Sequence, residues 1–235
     1  MKKTALITGA SRGIGAACAR ALAADGYRVV INYRNSHERA LALAEELDGI
    51  ALQADVADET QVQEMFWKAG DVDVLVCCAG IAQQSLFTDI TAQQWHRLFG
   101  VNVDGVYHCC QAALPYMIHE KRGKIITVSS IWGISGASCE SGYSATKAAV
   151  IGLTKALAKE LGPSGICVNC VAPGVIDTEM NGNLSPETME ALKEETPLGK
   201  IGTPEDVAQL VSFLASDKAD FITGQVISPN GGFLI

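Results

Sequence analysis

Short apolar runs alternate along this chain with stretches of helical periodicity, and that alternation narrows the possible folds more than any other feature. The runs occupy residues 5–8, 28–32, 50–54, 72–78, 124–129, 166–172 and 225–228. Several are apolar throughout, the pattern of strands buried on both faces. Helical stretches between them cover residues 13–24, 37–47, 59–69, 92–119, 142–161, 186–195 and 204–215. Their ends carry matching chemistry. Thr91 and Gln94 are spaced as a capping box, Ser185 and Thr203 each precede a proline suited to a first helical turn, and Gly26, Gly49 and Gly70 stand just past helix ends.

Repeated strand–helix units with right-handed crossovers build a parallel sheet covered by helices on both faces. The expected class is therefore α/β: a single doubly wound, Rossmann-type domain over residues 1–235, with a seven-stranded, mainly parallel sheet. An eightfold barrel needs about 250 residues and an eighth strand. One irregular region, the polar segment 177–202, holds a short helix and two prolines and is a candidate substrate lid at the carboxyl edge of the sheet.

Composition excludes other classes of function. With 18 basic and 26 acidic residues the net charge is −8, so no chain-wide positive field exists for a nucleic acid. The longest charge-free run, 161–176, is short of the roughly 20 residues of a membrane span and is interrupted by Gly, Pro, Ser and Asn. The apolar run after Lys2 and Lys3 ends at Thr8, too soon for a secretory signal, so the expected location is the cytoplasm. Of the eight cysteines, only Cys167 and Cys170 have ligand-like spacing; they lack a second pair, and an odd separation on a strand sends them to opposite faces. No metal is expected, and the cysteines read as reduced, buried hydrophobes.

The first strand leads through Thr8-Gly9-Ala10-Ser11-Arg12-Gly13-Ile14-Gly15 directly into a helix. Glycines at this junction let backbone amides and the helix N-terminus approach a pyrophosphate. At the end of the second strand, where enzymes that use NAD usually place a carboxylate for the ribose 2′-hydroxyl, this chain has Asn32-Tyr33-Arg34. Arg12 and Arg34 either grip a 2′-phosphate together, which favours NADP(H), or are ordinary solvated arginines. Asp55, in Ala54-Asp55-Val56, either accepts from an adenine amino group or caps the next turn.

Tyr143 and Lys147 lie four apart near a helix start and so share a face. An ammonium beside a phenol stabilises the phenolate and suits it to proton transfer near neutral pH; alternatively the two are an exposed amphipathic pair. Ser129 and Ser130 end the strand before this helix, placing a hydroxyl for a carbonyl oxygen, and Asn102 lies in the long helix 92–119.

Taken together, the Thr8–Gly15 loop, Asp55, Ala79-Gly80, Asn102, Ser130, Tyr143, Lys147, Pro173-Gly174 and Asn230-Gly231-Gly232 resemble the pattern of classical short-chain dehydrogenase/reductases over essentially the whole chain. The resemblance implies an NADP(H)-dependent oxidoreductase. Tyr143 would protonate the carbonyl oxygen, Lys147 would lower the phenol pKa and bond the nicotinamide ribose, Ser130 would polarise the carbonyl, and Asn102 would hold a water linked to Lys147. Gly9, Ser11, Arg12, Gly13, Ile14, Gly15, Arg34, Asp55, Val56, Ala79 and Gly80 would bind the cofactor along with Tyr143 and Lys147. Pro173, Gly174, Ile176 and Thr178 would line the nicotinamide pocket. Cys77-Cys78 replaces the family's usual Asn-Asn, and the shortened segment between Asp55 and Cys77 implies a trimmed peripheral helix.

Within the family the pattern most resembles bacterial 3-oxoacyl-(acyl carrier protein) reductases of fatty acid biosynthesis, which implies a small-molecule or carrier-bound ketone and a homotetramer formed through the helices 92–119 and 142–161. Residues 129–140 are also similar to reductases of the 5-aminopentanone group on elongation factor P. Lys121 and Arg122 could receive an acidic carrier, whereas Ser164 stands where carrier-dependent enzymes often have a basic residue. Trp132 either closes a pocket over a small ketone or packs as an ordinary aromatic. A non-catalytic dinucleotide sensor of the same fold would usually lack Tyr143 or Lys147.

Overall fold

A computed structural model describes residues 2–182 and 184–235. Seven strands form one sheet: β1 (Thr4–Ile7), β2 (Arg28–Tyr33), β3 (Ile50–Gln53), β4 (Val74–Cys77), β5 (Gly123–Val128), β6 (Ile166–Val171) and β7 (Val226–Ile227). Their order is β3-β2-β1-β4-β5-β6-β7, and every adjacent pair is parallel. The sheet is thus the doubly wound α/β one that the alternation predicts. Connections run outward from β1 in one direction and, after the return to β4, in the other. The crevice of such a sheet opens at that reversal, above the carboxyl ends of β1 and β4.

The helices are α1 (Gly13–Ala24), α2 (His37–Glu46), α3 (Glu59–Ala69), α4 (Ala92–Phe99), α5 (Gly105–Glu120), α6 (Trp132–Ser135), α7 (Ser141–Leu161), α8 (Pro186–Glu195) and α9 (Pro204–Ala215). Caps account for many of these bounds. Thr91 with Gln94 and Thr203 with Asp206 form complete capping boxes, Ser185 caps α8, and Gly70 ends α3 at φ 76°.

Two apolar layers bury the sheet. Ala17, Leu22, Val207 and Val211 of α1 and α9 cover Ile7, Ile31 and Val76 on one face. Phe66, Cys109, Met117, Val150 and Leu161 of α3, α5 and α7 cover Leu6, Leu75, Ile125 and Val168 on the other. Strand residues of opposite parity therefore serve opposite layers, which is why the runs are apolar throughout.

Two features depart from the sequence reading. The stretch expected as one helix over 92–119 is interrupted by a π-helical segment, Gly100–Asp104, and the short helix α6 forms directly after β5.

Candidate active site

The junction between β1 and α1 is tied down from two sides. Thr8 Oγ1 accepts from the amides of Cys78 and Ala79, each at 3.0 Å, fixing the loop to the end of β4. Asn32 of β2 accepts from the Gly9 amide through Oδ1 at 3.2 Å and from the Ala10 amide through its carbonyl at 2.9 Å. A Cβ on Gly9, at φ 65°, would lie 2.8 Å from Ala79 Cα, and one on Gly15 would lie 2.5 Å from the Gly9 carbonyl oxygen. Among the described residues no side chain caps the first amides of α1. Uncapped amides at a helix N-terminus, approached without side chains, fit an anionic pyrophosphate.

Around this cradle stand four arginines. Arg34 and Arg97 both pair with Asp55 Oδ2, at 3.2 and 2.9 Å, while Asp55 Oδ1 accepts from the Ala57 amide at 3.1 Å. The carboxylate thus caps its own turn, one of the two readings open in the sequence. Arg12 and Arg39 instead converge on Glu179: its Oε2 is 3.1 Å from Arg12, and its Oε1 bonds Arg39. Arg12 is therefore joined through Glu179 to Arg39 of α2, while Arg34 is held by Asp55. Val56 turns its side chain into the core, where a Cβ on Gly105 would lie 2.6 Å from it.

Tyr143, Lys147, Ser130 and Asn102 are all buried and gather beside the cradle. Lys147 Nζ donates to the Val128 carbonyl at 2.9 Å, and Ser129 Oγ donates to the Lys147 carbonyl at 2.8 Å, so the end of β5 grips α7 one turn beyond Tyr143. Asn102 sits in the π-helical segment. Its Oδ1 accepts from the Ile81 amide and its Nδ2 donates to the Ile81 carbonyl, both at 2.9 Å, with a further bond to Thr146 Oγ1 at 3.0 Å. A Cβ on Gly80 would meet Lys147 Nζ at 3.4 Å and Asn102 Oδ1 at 3.5 Å, so those two polar groups flank the same glycine.

Burial pushes the Tyr143 phenol up to about 12; hydrogen bonding to Ser130 pulls it back in part, and the Glu140 carboxylate adds to the rise. Burial likewise lowers the Lys147 pKa. The ammonium lies 5.5 Å from the centre of the tyrosine ring. In this state burial, and not the neighbouring ammonium, dominates the phenol. Glu140 itself is half-buried with its carboxyl raised by desolvation, and it makes no ion pair among the described residues.

Beyond β6 the chain passes over the crevice. The Pro173 carbonyl accepts from the Ile131 amide at 3.0 Å, and a Cβ on Gly174 would lie 2.8 Å from Asn230 Cα. Ile176 bridges to Gly202, closing the base of segment 177–202, and a Cβ on Gly13 would meet Thr178 Cγ2 at 3.5 Å. Trp132 packs edge-on against Phe233 with ring centroids 5.8 Å apart, the ordinary aromatic contact that was one of its two readings.

The family model described as enoyl-(acyl carrier protein) reductase matches residues 9–234. Across 241 aligned positions, covering 99% of this chain and 98% of the relative, the chain is 46% identical to 3-oxoacyl-[acyl-carrier-protein] reductase FabG of Staphylococcus aureus. The chain belongs to the short-chain dehydrogenase/reductase family. This short-chain dehydrogenase/reductase is also 40% identical to the Bacillus subtilis oxidoreductase YmfI, with 99% of each chain covered. It superposes with a TM-score of 0.93 and 36% identity on gluconate 5-dehydrogenase of Burkholderia cenocepacia in complex with NADP and tartrate, covering 99% of this chain and 96% of that one. It is an oxidoreductase acting on the CH–OH/C=O couple.

Sequence reasoning about this short-chain dehydrogenase/reductase missed Arg39, Arg97, Glu140 and Glu179. Each is a charged residue with no motif around it, placed at the site by tertiary contacts. For Glu140 alone a local signal existed: a carboxylate three positions before the tyrosine of the Tyr143–Lys147 pair.

Proposed function

We propose that this short-chain dehydrogenase/reductase is an NADPH-dependent ketoreductase converting a 3-oxoacyl thioester to the 3-hydroxyacyl thioester. The observation that carries the reading is the buried cluster of Ser130, Tyr143, Lys147 and Asn102 beside an uncapped glycine cradle. The 46% identity to a 3-oxoacyl reductase supports the substrate class. Arg12 and Arg34 beside the cradle, and a relative seen with NADP, support the cofactor.

When bound, the reduced nicotinamide supplies a hydride to the carbonyl carbon. Ser130 donates a hydrogen bond to the carbonyl oxygen, and Tyr143, kept protonated by burial, gives that oxygen its proton as it becomes a hydroxyl. Lys147 would hold the nicotinamide ribose and stabilise the phenolate left behind. Asn102 fixes the Ile81 backbone and holds the water through which Lys147 passes a proton back to Tyr143. Gly9, Ser11, Gly13, Ile14 and Gly15 would cradle the pyrophosphate, a remaining lone pair of the Asp55 carboxylate and the Val56 backbone would meet the adenine, Ala79 and Gly80 would meet the ribose, and Pro173, Gly174, Ile176 and Thr178 the nicotinamide.

The chain works as one domain over residues 1–235 with segment 177–202 as its lid, in the cytoplasm and in fatty acid biosynthesis. It assembles as a homotetramer through α4, α5 and α7; half-exposed Tyr107 and Ile118 on α5 support this face. Sedimentation should give the mass of four chains, and a single-chain mass would contradict the assembly.

Glu140 favours a second substrate. This carboxylate, without an ion-pair partner among the described residues, raises the pKa of the neighbouring phenol, a cost that a cationic ketone such as 5-aminopentanone on elongation factor P would relieve. The deciding assay compares NADPH oxidation with acetoacetyl thioesters against the modified elongation factor. In either case Tyr143→Phe should abolish turnover while NADPH affinity stays within about twofold, and undiminished turnover would sink the assignment.

A further inference from the structure

The first turn of segment 177–202 stands on the phosphate cradle. Thr178 packs over Gly13, and one residue later Glu179 places one carboxylate oxygen on Arg12, at 3.1 Å, and the other on Arg39. Two guanidiniums converging on one small anion is the geometry that a phosphate monoester demands. The carboxylate reaches them from a fastened turn. Asn181 donates its amide to the Thr178 carbonyl at 3.0 Å and its Nδ2 to the Ile176 carbonyl at 2.8 Å, and the Asp177 amide donates to the Gly202 carbonyl at 2.8 Å.

We propose that Glu179 is a cofactor-selectivity residue that competes with the 2′-phosphate of NADP(H) for Arg12 and Arg39. A 2′-phosphate carries more charge than one carboxylate and has an oxygen for each guanidinium, so NADP(H) displaces Glu179. NAD(H), with a 2′-hydroxyl, cannot displace it, and the bridge persists. The carboxylate thereby reduces the advantage of NADP(H) and makes the first turn of the lid respond to which dinucleotide is bound. Arg39, one helical turn away from the β2 end where the family pattern directs attention, becomes a further phosphate contact beside Arg12 and Arg34.

The proposal rests on the NADP(H) reading. Arg12, Arg39 and Glu179 are all more than half exposed, so each pair is weak and the expected effect is a factor of about three to ten. The test is isothermal titration of the full chain with NADP+, NAD+, 2′,5′-ADP and 5′-AMP. Glu179→Gln should bind NADP+ and 2′,5′-ADP about three- to tenfold tighter, with NAD+ and 5′-AMP unchanged, the latter pair serving as the control for folding. Arg39→Ala should weaken NADP+ and 2′,5′-ADP and shrink the gain from Glu179→Gln. If the wild type prefers NADP+ yet Glu179→Gln binds 2′,5′-ADP no tighter, the competition is overturned and the cofactor reading stands. A wild type with no preference for NADP+ overturns both.

Discussion

A methyl group added at Gly15 tests whether the β1–α1 loop is the cofactor cradle. Its Cβ would lie 2.5 Å from the Gly9 carbonyl oxygen and 2.9 Å from Ala10 Cα, backbone atoms that cannot rotate aside, whereas ordinary contact begins near 3.4 Å. The loop must therefore open by about 0.9 Å at its tightest point. Forced overpacking of this kind costs about 1–3 kcal/mol, which for a domain of this size lowers Tm by roughly 2–12 °C. The same displacement carries the Gly9–Gly13 backbone away from where a pyrophosphate would bind. Losing one charge-assisted amide bond costs about 1.5–3 kcal/mol, so NADP+ affinity should fall at least about tenfold. Gly100→Ala is the control: its helical backbone is compatible with alanine, and the nearest atoms, Ala57 Cβ and Asp104 Oδ2, lie at 3.7 and 4.0 Å. It should gain about 0.4–1 kcal/mol. Differential scanning fluorimetry and titration with NADP+ read both quantities. A Gly15→Ala protein that loses stability but keeps wild-type affinity would show that the loop does not hold the cofactor, and one unchanged in both would refute the packing argument itself.

Glu140→Gln removes the charge that helps raise the Tyr143 phenol, so the acid form should be lost at lower pH and the alkaline limb of kcat/KM for ketone reduction should move down; a limb that stays or moves up contradicts this. Arg34→Ala should cost NADPH tenfold or more in kcat/KM and NADH little, measured by absorbance with either cofactor. Equal efficiency of the wild type with both would defeat the arginine argument. Thr203→Ala breaks a capping box and should cost about 1 kcal/mol, or about 2–4 °C. Asp206, held below the usual aspartate range by the Thr203 amide, contributes stability above its unfolded pKa that is lost as pH falls through the depressed value. The Tm deficit of Asp206→Asn should therefore shrink between neutral pH and pH 3.

Much of the scaffold was legible because its determinants are local. The bounds of α1, α3, α8 and α9 match the periodic stretches, since glycine, proline and capping residues mark their ends. Strand bounds shifted by a residue or two, β4 shortening to Val74–Cys77 from the run 72–78 and β2 extending to Tyr33, because pairing and not hydrophobicity ends a strand. The catalytic candidates were legible from spacing plus family resemblance, and the fold gathers them. What could not be read arises from contacts between distant segments. Arg39 and Glu179 are 140 positions apart, and nothing around either signals the other. Helix α6 is only four residues long, too short for any periodicity to register. The net shift of the Tyr143 phenol was not legible from spacing, since how deeply Tyr143 and Lys147 are buried is a property of the packed layers.

The π-helical segment Gly100–Asp104 has a consequence for how this chain can tolerate insertions and deletions. A π-turn accommodates a surplus residue within an otherwise regular helix. Removing any one residue there would let α4 and α5 fuse into one uninterrupted helix with better backbone bonding, and would swing the remaining side chains by about 100°. Asn102 would then leave Ile81 and Thr146, with which it now makes three hydrogen bonds. Along this helix the number of residues matters as well as their identity, because it sets where Asn102 points: a shorter version would be the sturdier helix and the poorer enzyme. A deletion at Val101 that kept the Ile81 bonds would speak against this.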